Sequence, residues 1–198
     1  MKYIVVFMIL VVPVYSFGST KEVSSRGWYA GAGVGIASFS MADQGDTLEE
    51  DTDTSITAFG GYRFNRFLAI QGGFADLGKY TNRDSVLNYT ELSGVNFTAV
   101  GLLPVSQSGL DLFGRLGLGI LRYTQNFELF GTDFDNTSTG EAITASLGVN
   151  YTHPKLKHIT FHIAYDYYYF QTQKTYSTNN ESESNSIGVA SLGARYNF

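Results

Sequence analysis

The stretch Ile159-Thr160-Phe161-His162-Ile163-Ala164-Tyr165-Asp166-Tyr167 decides the architecture. Its odd-numbered residues are all large and apolar or aromatic, and its even-numbered residues are Thr160, His162, Ala164 and Asp166. Successive side chains of a strand point to opposite faces, so this period of two gives one apolar and one polar face. A helix would scatter the same residues around its circumference. The composition fits strands as well: 14 Tyr, 15 Phe and 22 Gly against 3 Pro.

The pattern recurs on either side. Towards the C-terminus, Ala190, Leu192, Ala194, Tyr196 and Phe198 oppose Ser191, Gly193 and Arg195 over about 186–198. Just upstream, Ile143, Ala145, Leu147 and Val149 oppose Thr144, Ser146 and Asn150 over about 139–151. Five further segments follow the same rule: about 27–39, 54–64, 67–79, 89–103 and 110–125. In the first of these, Trp28, Ala30, Ala32, Val34 and Ile36 share a face opposite Tyr29, Gly31, Gly33 and Gly35. Connections near 65, 106 and 154 are short, whereas those near 41–53, 79–88, 126–138 and 173–185 are long and rich in Asp, Asn, Thr and Ser.

Eight two-faced strands with alternately short and long connections describe one all-β domain. The expectation is an eight-stranded antiparallel up-and-down transmembrane β-barrel with short periplasmic turns and long extracellular loops. The apolar face is assigned to lipid because the other face carries Arg63, Gln71, Asp111, Arg115, His162, Asp166 and Arg195. A charge facing hydrocarbon costs roughly 2–4 kcal/mol at the midplane, whereas inside a narrow barrel charges can pair. Eight strands enclose just enough room for side chains, with Gly31, Gly33, Gly35, Gly117 and Gly119 making space, so the lumen is expected to be plugged.

The N-terminus agrees with export. Lys2 and the apolar run Tyr3–Val14 read as a secretory signal, with small residues following at Ser16, Gly18 and Ser19. The run is shorter than the roughly 20 residues of a membrane-spanning helix. The domain reading is a signal peptide over 1–19, cleaved after about 16–19, and a barrel over 20–198. Cysteine is absent, so there is neither a disulfide framework nor a thiolate metal site. The formal net charge of −5, without a basic cluster, argues against a nucleic-acid partner.

The stretch Trp28-Tyr29-Ala30-Gly31-Ala32-Gly33-Val34-Gly35 resembles the opening strand of the outer-membrane protein A transmembrane domain family. Leu112-Phe113-Gly114-Arg115-Leu116-Gly117-Leu118-Gly119 is similar to that family's fifth strand. Ala194-Arg195-Tyr196-Asn197-Phe198 resembles the C-terminal signature that the barrel-assembly machinery recognises, with Tyr196 and Phe198 as the signal. The resemblance spans the mature chain and implies an outer-membrane location, lipid and lipopolysaccharide contacts, and help from periplasmic chaperones and the assembly machinery. The family's peptidoglycan-binding domain has no counterpart in this reading, so the closer analogy is a stand-alone, monomeric barrel of the OmpX type.

Three chemical readings compete. His162 and Asp166 suggest an acid–base pair of a lipid-modifying hydrolase. Positions i and i+4 of a strand lie about 13 Å apart, however, and no serine is singled out beside His162, so polar packing is preferred and no catalytic residue is expected. Arg63, Arg115 and Arg195 against Asp111 and Asp166, with Glu141 as a further candidate, form a lumenal ion-pair network, read as a static plug in preference to a gated narrow channel. Asp43, Asp46, Glu49, Glu50, Asp51 and Asp53 make the first long connection acidic, but their spacing matches no calcium loop, so neither metal nor cofactor is expected. Trp28, Tyr196 and Phe198 are assigned to an aromatic girdle at the periplasmic rim.

Overall fold

The computed structural model describes residues 26–41, 51–80, 87–105, 109–129, 132–176 and 179–198. The signal segment 1–19 lies outside the described residues, as do Asp43, Asp46, Glu49 and Glu50 of the acidic connection.

Eight strands are present: β1 Gly27–Met41, β2 Asp51–Arg63, β3 Leu68–Tyr80, β4 Leu87–Pro104, β5 Leu110–Leu129, β6 Thr132–Thr152, β7 Ile159–Tyr176 and β8 Asn179–Asn197. Each pairs antiparallel with its chain neighbours, and β1 pairs with β8 from Tyr29↔Asn197 to Met41↔Asn185, closing the barrel. Closure leaves no sheet edge, so the backbone of the wall satisfies its own hydrogen bonds, as a structure in hydrocarbon requires.

The two faces fall as the alternation requires. Leu118, Ile163 and Leu147 are about 70% or more exposed on the outside, whereas Tyr29, Gln71, Thr98 and His162 are buried inside. A bulge in β3 resets the phase there. The register shifts between Asp76 and Gly78, and Gly78 takes φ +98°, a left-handed conformation that glycine adopts without penalty. Leu77 and Tyr80, three residues apart, therefore both turn inward.

The three short turns are compact. Asn65 Oδ1 accepts the amides of Phe67 at 2.7 Å and Leu68 at 3.0 Å, which fixes the β2–β3 connection. Gly109, at φ +88°, lies where a Cβ would meet the carbonyl of Thr152, so the second turn needs glycine for both its φ and its space. In the third, the Leu156 amide donates to His153 and the Ile159 amide to Leu156.

The strands run further outward than the apolar alternation indicates. β5 and β6 stay paired to Leu129↔Thr132, and β7 and β8 to Tyr176↔Asn179. The polar stretches near 126–138 and 173–185 are thus largely hairpin ladder. Beyond the lipid a ladder needs no apolar face, so the pattern that reveals the lower strands is silent there.

Candidate functional site: the filled lumen

The interior is stratified along the barrel axis. Towards the outer end, Ala37, Ala75, Leu77, Leu92, Leu121, Ala142, Tyr168, Ile187 and Val189 form one apolar cluster with Tyr80 and Phe170. Towards the end that carries both termini, Tyr29, Ala69, Val100, Leu102, Phe113 and Ala164 form a second, against which Phe59 packs. The polar groups predicted from the sequence occupy the space between and below.

The strongest polar contact joins β5 to β7. Arg115 Nη2 donates to Asp166 Oδ1 at 2.7 Å, with both side chains about nine-tenths buried. The same carboxylate accepts the Ser146 hydroxyl and, at 3.4 Å, the Ser191 hydroxyl. β6 and β8 flank β7, and the register sets Ser146 directly opposite Asp166. Asp166 is thus partnered from three other strands, which is what a carboxylate removed from water needs.

A second pair lies at the periplasmic mouth. Arg63 Nη2 stands 3.9 Å from Asp111 Oδ2, and the Arg63 guanidinium also donates to the carbonyls of Asn65 and Arg66 in the first turn. Gln71 Oε1 accepts the Tyr29 hydroxyl at 3.3 Å. Arg195 is 8% exposed and sits over the ring of Tyr29, its Cζ 4.9 Å from the centroid. His162 packs edge-on against Phe59, with ring centroids 5.4 Å apart.

All seven predicted lumen residues therefore face inward, but not as one network: Arg63 pairs with Asp111 and Arg115 with Asp166, while Gln71, His162 and Arg195 contact Tyr29, Phe59 and Tyr29 instead. Glu141 does not join them. It is exposed on the outer side of β6, in phase with Ile143 and Ala145, so the pleat removes it from the lumen. His162 and Asp166 are not partners. The Ser146 and Ser191 hydroxyls bond to Asp166, and among the described residues no hydrogen bond joins a serine to His162. The described residues likewise contain no cluster of three metal-ligating side chains.

Sequence reasoning missed the outer apolar cluster. Its signal was present: Leu121 follows the outward Ile120, and Ile187 and Val189 hold inward positions of β8, so bulky apolar residues occupy both phases there. The glycines confirm how tightly the interior is filled. A Cβ at Gly193 would lie 2.6 Å from His162 Cε1, and one at Gly31 2.7 Å from both Arg195 Cβ and Phe59 Cζ. Cavities of about 30 Å³ and about 10 Å³ lie beside the charged groups.

On the outside, the rim beside the termini carries aromatic rings. Trp28 and Tyr62 meet edge to face at 5.0 Å, Tyr196 and Phe198 at 5.2 Å, and His158 stacks on Tyr196 at 5.5 Å. Rings at this level suit the membrane–water boundary.

A closed eight-stranded barrel, apolar outside and lined inside by polar groups between two apolar clusters, defines an integral outer-membrane β-barrel. The description "OmpA-like transmembrane domain" matches residues 24–198, and the chain belongs to that family. It is 30% identical over 183 residues to outer membrane protein A of Escherichia coli O157:H7, covering 86% of this chain and 47% of that protein. The Shigella flexneri protein of the same name is 29% identical over 184 residues, with 86% and 48% covered. The chain thus spans about half the length of the curated relatives it matches. Among solved structures, Neisserial surface protein A superposes with a TM-score of 0.63 at 21% identity, covering 87% of this chain and 97% of that one. OprG of Pseudomonas aeruginosa superposes with 0.59 at 13% identity, covering 88% and 97%. These likenesses show the fold. The protein resides in the bacterial outer membrane, where barrels of this kind keep their short turns on the periplasmic side.

Proposed function

We propose that the protein is a non-conducting structural barrel that contributes to envelope integrity and presents its outer hairpins as an interaction surface. The observation that carries this reading is the outer apolar cluster. Leu77, Leu92, Leu121, Ile187 and Val189 are each at most 2% exposed, and they stand in line with the charged groups beneath them. An ion crossing the lumen would have to shed its water among aliphatic side chains and then displace the Arg115–Asp166 pair. The alternative of a narrow channel draws on the ion pairs, which would have to exchange partners to open. The apolar layer has no partners to exchange, and this favours the plug. The engagement of the Ser146 and Ser191 hydroxyls by Asp166, together with the structural barrels among the relatives, favours a non-enzymatic role.

In this reading the partners are outer-membrane phospholipid and lipopolysaccharide along the apolar wall, and the chain is monomeric. Periplasmic chaperones and the barrel-assembly machinery act during biogenesis, with Tyr196 and Phe198 as the assembly signal. Planar-bilayer recording tests the plug. The purified barrel is expected to give no reproducible unitary current, and a stable conductance level would overturn the reading. Deletion of the gene is expected to sensitise cells to detergent, and unchanged sensitivity would remove the envelope role.

A further inference from the structure

Between the outer apolar cluster and the periplasmic end, the charged side chains turned inward among the described residues are Arg63, Arg115, Arg195, Asp111 and Asp166. Asp111 is matched by Arg63 and Asp166 by Arg115. Arg195 remains, more than nine-tenths buried and with no carboxylate at ion-pair distance; Asp111, already paired with Arg63, acts on it only from farther off. The Tyr29 ring beneath it attracts the cation but carries no net charge, so the charge is held without being neutralised. A buried guanidinium left in this state is costly.

Two of the unmet hydrogen-bonding groups lie in the same place. The Nε–H of Arg195 and the Nε–H of Arg115 are both buried with no acceptor. Both residues line the smaller cavity, of about 10 Å³, together with Phe59, Phe113, Asn150 and His162. Asp166 lines only the adjoining cavity of about 30 Å³, so no carboxylate faces the smaller one. The structure therefore places two guanidinium donors, an excess positive charge and a small unfilled chamber together. We propose that this chamber binds a single small monovalent anion, such as chloride, between Arg115 and Arg195. Water would satisfy the donors but leave the charge.

Bromide is the probe. Crystals of the refolded barrel grown in sodium bromide and measured at the bromine edge are expected to show an anomalous peak in this chamber, and crystals of Arg195→Gln to lack it. A wild-type map without the peak would overturn the proposal, and that result does not depend on whether the variant folds. In detergent micelles at constant ionic strength, replacing chloride by gluconate is expected to lower the urea midpoint of the wild type and to leave that of Arg195→Gln unmoved. An equal response of the two proteins would count equally against it.

Discussion

Asp166 shows how much a single residue carries in this interior. Its carboxylate is the meeting point of β5, β6, β7 and β8, through Arg115, Ser146 and Ser191. Removing it strands the Arg115 guanidinium in a dry interior, and breaking a buried pair from one side costs about 3–5 kcal/mol. Asp166→Ala is therefore expected to lower the unfolding free energy in micellar urea titrations by about that amount. The double variant Arg115→Met/Asp166→Leu removes both charges and restores apolar volume, so it is expected to be more stable than Asp166→Ala alone. A double variant no more stable than Asp166→Ala would show that the pair is not coupled. The sequence made Asp166 legible as a lumen residue through its phase with His162. It did not reveal which arginine Asp166 holds, because that depends on cross-strand register and on side chains reaching across the barrel. For the same reason, Arg195 was foreseen as a member of an ion-pair network and emerges with no carboxylate at ion-pair distance. Glu141 was misplaced although its phase with Ile143 already set it outside.

At the scale of the strand, the alternation rule separates two substitutions of the same kind. Leu118 is 70% exposed on the lipid side of β5, and its neighbour Gly117 faces inward against Thr98. Leu118→Arg is expected to destabilise the barrel by roughly 2–4 kcal/mol if the position lies near the bilayer midplane. Leu118→Ile keeps the apolar area and is expected to be nearly neutral, as read by urea midpoints in lipid vesicles. Gly193 of β8 tests the inner face. Valine there would press on the Ala32 carbonyl and on the His162 ring, so Gly193→Val is expected to lose about 1–3 kcal/mol by overpacking. A second substitution, His162→Ala, opens space for the valine and is expected to recover part of that loss. Seven of the strands are legible from apolar phase for most of their membrane length. β3 is legible only as far as Asp76, because the bulge at Gly78 inverts the phase beyond it. The outer ladders of β5–β6 and β7–β8 carry no apolar face to read, and only the pairing reveals them.

For the whole molecule, the closing seam between β1 and β8 matters most, since it joins the two ends of the chain and leaves the wall without an edge. Phe198 lies just beyond that seam. Its amide donates to the Trp28 carbonyl at 3.0 Å, and its ring meets Tyr196, yet the residue is 73% exposed. In the finished barrel it therefore contributes about one net hydrogen bond, worth roughly 0.5–1.5 kcal/mol, and one aromatic edge contact of similar size. A role as an assembly signal makes a different demand, because recognition acts before the barrel closes. The two contributions separate cleanly in one experiment. Deleting Phe198 is expected to shift the urea midpoint of the protein refolded in vitro only slightly, and to leave its heat-modifiable migration on gels intact. In cells the same deletion is expected to reduce the outer-membrane level severalfold, with the chain still exported to the periplasm. Normal outer-membrane levels would remove the signal role, whereas failure to refold in vitro would make Phe198 a structural closure residue instead.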